Sequence, residues 1–235
     1  MSDEVILSFE SVTLPPHPPY EAGLAGVSFS LNAAELMLVR VEQGLSRLAF
    51  ADAAQGLVEP DSGRVMFLGE DWRSMPPNRA AERRGSIGRV FEANGWISNL
   101  DVDENITLAQ RHHTSRPEGE IVAEASALAA QFGLAELPRV RPAVVRHADL
   151  RRAEWVRAFA GSPRLILLEN PTKEASGNAL PSLVTAVKAA RGRGAAVIWI
   201  ADDERILSKV GPDATCRFEF RGDGLVPWEG NTQHG

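Results

Sequence analysis

The segment Leu165-Ile166-Leu167-Leu168-Glu169-Asn170-Pro171-Thr172 sets two polar groups directly after four apolar residues. Such a run reads as a strand buried on both faces of a parallel sheet, presenting those two groups at its C-terminal end. The first group, Glu169, is a carboxylate. The second, Asn170, is an amide, which cannot accept a proton and so cannot serve as a general base. Another acid, Glu92, comes after the strand candidate at 87–91 and could ligate a metal or stand as a solvated loop acid. Asp202 and Asp203 come after the candidate at 195–200, where either could cap a helix starting near Glu204. Arg146 and His147 precede a helical pattern and could attract an anion. His147 has no partner acid or nucleophile recognisable nearby in sequence, which argues against a catalytic base.

These groups need elements to position them. Short strand candidates lie at 27–31, 36–41, 64–68, 87–91, 165–168 and 195–200, with helical patterns at 118–132, 150–160 and 180–191. Strands alternating with helices imply an α/β fold with a largely parallel sheet. Residues 93–160 carry almost no strand signal and read as a helical subdomain inserted into a single domain of 1–235, whose α/β core is 1–92 and 161–235. Residues 217–228, broken by Arg221-Gly222-Asp223-Gly224, read as a β-hairpin, and Pro15-Pro16-His17-Pro18-Pro19 as a loop.

Composition excludes several classes. A formal net charge of −6 speaks against a general nucleic-acid role. No apolar run approaches the ~20 residues that span a bilayer, and Met1-Ser2-Asp3-Glu4 lacks a signal peptide's basic start. Cys216 is the sole cysteine and cannot form an internal disulfide, which fits a reducing cytoplasm.

Order and spacing carry a resemblance to ABC-transporter ATPase nucleotide-binding domains over nearly the whole chain. Pro60-Asp61-Ser62-Gly63-Arg64-Val65 resembles their segment after the first helix, residues 96–106 their stretch after the Q-loop, and Val156–Pro163 the helix end leading into Walker B. The Ile-Ser-Asn-Leu…Glu-Asn part of 97–105 is similar to ATP-binding subunits of the Mla/Mce lipid-transport group. The resemblance implies a P-loop NTPase-type core with a mostly parallel sheet, an antiparallel β-region and an inserted helical subdomain.

Motif by motif, the frame is kept and the residues differ. Walker A falls on residues 41–49. Val41 and Ser46 stand where glycines would let backbone N–H groups wrap phosphates, and Gly44 alone remains. Arg47 stands for the lysine and Leu48 for the Mg²⁺-ligating hydroxyl, while Glu42 adds negative charge. This loop is either an ordinary strand–turn–helix connection or a weak nucleotide site using Arg47 and the helix N-terminus. The Q-loop glutamine is Glu92. Walker B places Glu169 for Asp, still long enough to reach a Mg²⁺-bound water, and Asn170 for the carboxylate that polarises the attacking water. Alternatively, those two groups satisfy loop backbone. The LSGGQ motif falls on Val145-Arg146-His147-Ala148-Asp149, without its glycines; a helix start with Asp149 as N-cap is the other reading. The D-loop falls on Lys173-Glu174-Ala175-Ser176, and the switch histidine is Asp202.

In this family Walker A and B of one subunit face LSGGQ of another, and here both halves are altered. The resemblance therefore implies a degenerate, non-hydrolysing ATP-binding-subunit homologue, with no catalytic residue, no metal and no cofactor expected beyond weak ATP/Mg. It implies a scaffold or regulator docking on a membrane permease or a homologous ATPase subunit, or forming a homodimer, in the cytoplasm and peripheral to the inner face of the membrane. Residues 95–108, with exposed-looking Trp96 and Ile97, resemble the family's docking surface; the other reading places those two side chains in the subdomain core. The alternative is an unusual but genuine ATP-hydrolysing transporter subunit using Arg47, Glu92 and Glu169.

Overall fold

The structure is a computed structural model that describes residues 4–43, 48–92, 95–175 and 179–228. It divides into two compact units, residues 1–84 with 196–235 and residues 85–195. The chain builds the first unit from β1 (Val5–Leu14), β2 (Leu24–Asn32), β3 (Leu36–Arg40), α1 (Ala49–Ala54), β4 (Ser62–Phe67), β5 (Glu70–Asp71) and α2 (Pro77–Arg84). It forms the second from β6 (Ile87–Val90), α3 (Val102–His113), α4 (Glu118–Gln131), α5 (His147–Phe159), β7 (Leu165–Glu169) and α6 (Leu180–Gly192). It then returns to the first with β8 (Ala196–Ala201), α7 (Glu204–Val210), β9 (Cys216–Arg221) and β10 (Gly224–Pro227).

In the first unit, β1 pairs antiparallel with β2 and β4, and β4 with β5. The alternating apolar side of β1 carries Phe9, whose ring stacks on Phe29 at 4.8 Å and lies 5.3 Å from Phe50 of α1. Phe50 in turn meets Phe220 of β9 edge-on at 5.5 Å. Aromatic contacts of this kind add to area burial, and here they join the antiparallel strands, α1 and β9 into one core. The proline-rich loop lies between β1 and β2, and 217–228 forms the β9–β10 hairpin, as expected.

Strand β3 pairs in parallel with β8 on one edge and β9 on the other. The sequence suggests 36–41 and 165–168 as neighbouring strands. Both edges of β3 are taken, so β7 is not its neighbour. Strand β8, whose six residues Ala-Val-Ile-Trp-Ile-Ala are all buried, takes the place beside β3.

In the second unit, β6 pairs in parallel with β7, from Ile87 opposite Leu165 to Val90 opposite Leu168. Helices α3, α4 and α5 lie within residues 93–160. Phe132, Trp155 and Phe159 pack together, Phe132 lying 5.4 Å from Trp155 and 5.7 Å from Phe159. Asn105 of α3 ties down the preceding loop, bonding Ile97 through both its N–H and its carbonyl and also the Asp101 carbonyl. Helix α5 comes so close to β6 that a Cβ on Gly88 would lie 1.8 Å from the Ala158 carbonyl oxygen. Glycine is required there because backbone meets backbone. Gly88→Ala is expected to destabilise by about 3 kcal/mol, lowering Tm by roughly 6–12 °C; calorimetric unfolding of the variant checks it.

Candidate functional site

The second unit gathers polar groups at the ends of β6 and β7. Glu169 closes β7, and its Oε1 accepts a 2.6 Å bond from Arg89 Nε of β6. Both side chains are buried, Arg89 at 6% and Glu169 at 12% exposure. The guanidinium also lies over the Phe91 ring, 4.3 Å from its centroid. Glu169 is thus engaged by an internal cation. Asn170 comes next with φ +41°, a left-handed backbone that asparagine adopts more readily than most residues. Its Nδ2 donates to Glu92 Oε1 at 3.2 Å, and Lys173 Nζ reaches the same oxygen at 3.3 Å. Glu92 is therefore no solvated acid: its side chain is 14% exposed and shared between an amide and an ammonium.

Helix α5 binds both loops that extend from these strands. Arg151 donates to the carbonyls of Phe91 (2.7 Å), Glu92 (3.2 Å) and Lys173 (3.1 Å), and Trp155 Nε1 to Pro171 O at 2.9 Å. Arg157 bonds the Gly95 carbonyl and stacks over Trp96 at 4.6 Å. Trp96, for which surface and subdomain core were both open, is half-buried with that guanidinium over its ring, whereas Ile97 is 44% exposed. Glu154 lies among these arginines, 2.5 Å from Arg151. Burial pushes its carboxyl above the usual range, against the pull of Arg151, and burial likewise lowers the Arg157 guanidinium, against the pull of Glu154.

The LSGGQ-position residues stand at the start of α5. The N-cap is Arg146, not Asp149, and no side chain caps it. Asp149 lies in the first turn, where its Oδ2 accepts from Arg146 Nε at 2.8 Å. A helix that starts at His147 leaves Asp149 inside its first turn, where a carboxylate favours the helix dipole without capping. The His147 ring stands 3.7 Å from Glu174, and both are exposed. Val145 and Ala148 are half-buried.

In the first unit, Gly44, Ser46 and Arg47 lie outside the described residues, as does Ser176 in the second. Val41, at the first glycine position, continues the ladder by donating to Ala201 O at 3.1 Å and is buried. Leu48 is the N-cap of α1; its side chain is buried and it bridges to Ala22. An open cleft of about 990 Å³ adjoins Val41, lined by the carboxylates of Glu42, Asp202, Asp203, Glu204 and Glu219 and the guanidinium groups of Arg40, Arg205 and Arg221. Arg40 lies 3.5 Å from Glu219 and 3.7 Å from Glu204. Arg221 also pairs with Glu219. Asp203 caps α7, as expected for that position, and its bond to Arg205 holds its carboxyl below the usual range. Among the described residues no cluster of three acids, histidines or cysteines is arranged to hold a metal.

Residues 24–173 match the family model for the ABC transporter. The chain belongs to the ABC transporter family. It is 25% identical over 185 residues to the putative hemin import ATP-binding protein HrtA of Staphylococcus haemolyticus, covering 78% of this chain and 83% of that one. It is 30% identical over 193 residues to the lipoprotein-releasing system ATP-binding protein LolD of Maricaulis maris, covering 80% and 82%. Longer relatives are matched over less than half of their own length. In fold it is similar to the dimeric structure of MJ0796, a bacterial ABC transporter cassette, with a TM-score of 0.81, 17% identity, and 94% and 96% of the two chains covered. No helix among the described residues is long and apolar enough to cross a membrane.

In this ABC-family chain, motif reading missed Arg89, Arg151, Glu154 and Arg157. One signal was available: an arginine inside the short apolar strand Ile87–Val90 has to find a buried partner. Arg89→Met removes the guanidinium bonded to the buried Glu169 carboxylate and is expected to cost about 3–5 kcal/mol, most of which returns in Arg89→Met/Glu169→Leu. The single variant's deficit should shrink as pH falls toward about 5. Losing that guanidinium raises the buried carboxyl's folded pKa, so proton uptake then favours the folded state. Denaturant unfolding at several pH values checks both outcomes.

Proposed function

We propose that this ABC-family ATP-binding-subunit homologue does not hydrolyse ATP and works as a scaffold or regulator docked on a membrane permease or a partner ATPase. Such docking would hold it at the inner face of the membrane. The observation that carries the reading is the buried 2.6 Å pair of Arg89 and Glu169, because it engages the acid that the family resemblance assigns to Mg²⁺. Leu48 supports it: an aliphatic, buried side chain at the hydroxyl position has no atom to coordinate a cation. Asn170 supports it too, since an amide cannot take the proton of an attacking water. The described residues are therefore a poor match to Mg²⁺–ATP. The exposed Ile97, on a loop fastened by Asn105 and adjoining Arg157, suits a docking surface whose shape is held without nucleotide.

A second reading has one observation in its favour. Glu92 sets a carboxylate 3.2 Å from the Asn170 amide, so a carboxylate and an amide still stand together, though in exchanged order. That arrangement would suit a genuine ATP-hydrolysing subunit.

Titration calorimetry with ATP, with and without Mg²⁺, is expected to show no Mg²⁺-dependent binding, and steady-state assays no turnover above background. Turnover near ~1 s⁻¹ that disappears in Glu92→Gln or Arg47→Ala would overturn the proposal. Leu48→Ser and Asn170→Glu are each expected to remain inactive, because residues acting as one unit are strongly non-additive. Asn170→Glu in addition puts a less tolerant residue at φ +41°.

A further inference from the structure

We propose that this chain cuts itself between Asn170 and Pro171, the side-chain amide of Asn170 attacking its own backbone carbonyl. One turn brings the needed groups together. The nucleophile is held: Asn170 Nδ2 donates to Glu92 Oε1 at 3.2 Å, and because a carboxylate only accepts, the amide atom facing it is the nitrogen. The same carboxylate is the base that can take the proton this nitrogen must lose. The electrophile is polarised: the backbone N–H of Lys173 donates to the Asn170 carbonyl oxygen at 3.0 Å, where negative charge develops during attack. Bulk water is kept back, since Asn170 is 6% exposed and the Glu92 side chain 14%.

The next residue decides which bond breaks. An asparagine ordinarily deamidates when the following backbone nitrogen attacks its side-chain carbonyl and ammonia leaves. Pro171 has no N–H, so that route is closed and the reverse attack remains. In it the bond from Nδ2 to the Asn170 backbone carbon forms and closes a succinimide ring, and the bond from that carbon to the Pro171 nitrogen breaks. The proton that Nδ2 gives to Glu92 ends on the Pro171 nitrogen; Lys173 Nζ, 3.3 Å from the same carboxylate oxygen, can relay it. Nothing is oxidised or reduced, and no water enters. The turn is pinned beyond the cut as well, because Trp155 Nε1 donates to the Pro171 carbonyl at 2.9 Å and Arg151 Nε to that of Lys173 at 3.1 Å. Holding the groups in this way lowers the entropy cost of the attack. Asn170 stands at φ +41°, a backbone conformation whose cost the break relieves. After the cut, the ladders from β3 to β8 and β9 would keep 171–235 bound to 1–170.

This inference goes beyond the scaffold reading, since it needs neither nucleotide nor permease. The test is the purified full chain incubated for days at neutral pH with protease inhibitors, then read by denaturing electrophoresis and intact-mass spectrometry. The expected result is two fragments, 1–170 and 171–235, the second with Pro171 at its amino terminus. Before the ring hydrolyses, their masses should add up to that of the whole chain, whereas a protease would leave them one water heavier. Asn170→Gly suits the left-handed backbone, lacks the amide and should abolish the cut. Glu92→Gln can still accept the amide hydrogen bond but is no base, and should slow the cut at least about tenfold. Circular dichroism and Tm show whether these variants fold. A further arm needs no variant: the unaltered chain held unfolded in urea should stay whole over the same time, because Glu92 and Asn170 are 78 residues apart and meet only in the fold. A folded chain that stays whole, a break elsewhere, a break that persists in Asn170→Gly, or an equal rate in Glu92→Gln or in urea overturns the inference. None of these outcomes bears on ATP hydrolysis, which the calorimetry and turnover assays test separately.

Discussion

Removing a charge from water is tolerable only when an opposite charge and further hydrogen bonds come with it, and the second unit is arranged around that constraint. Arg89 sits inside the strand Ile87–Val90 at 6% side-chain exposure and meets Glu169 at the end of β7. One pair therefore joins the ends of two parallel strands that share a register from Ile87–Leu165 to Val90–Leu168. The same pair removes a carboxylate from the surface where a metal could be met. Glutamate rather than aspartate supplies the extra methylene for a side chain that must reach back to its neighbour.

Around this pair, α5 acts as a clamp. Arg151 holds backbone carbonyls on both loops, Trp155 holds Pro171, and Arg157 holds Gly95 while covering Trp96. Glu154 supplies the counter-charge beneath, and its raised pKa records how far that carboxyl has been withdrawn from water. Backbone bonds of this kind fix loop conformation directly, whatever the loop side chains do. The close approach at Gly88 brings the helix near enough for them to form.

The first unit is built on a different logic. Its core is aromatic and aliphatic, centred on Phe9, Phe29, Phe50 and Phe220, and its charges lie in outer pairs such as Arg64–Glu10 and Arg79–Glu70 and in an open cleft. The helix α1, which comes after the expected phosphate loop, is only six residues long and starts from a buried leucine without a side-chain cap. Its start is held by packing of Leu48 rather than by an oxygen on an N–H. Membership of the ABC transporter family accounts for the frame.

Much of the frame was legible from the sequence because periodicity and turn residues are local. The strands at β3, β4, β6, β7 and β8, the hairpin at 217–228 and the Asp203 cap of α7 all arise from patterns within about ten residues. The order of motifs likewise located Glu92, Glu169, Asn170 and Asp202 at strand ends. The bonds those groups make were not legible, since Arg89 and Glu169 are 80 residues apart and Glu92 and Asn170 are 78 apart. Nor was the place of β3 between β8 and β9, since pairing joins strands far apart in the chain. Amino-acid order by itself thus determined which elements form and which side chains stand at their ends. Only the tertiary structure decided which charge neutralises which, because a buried ion pair depends on distance through space and not along the chain.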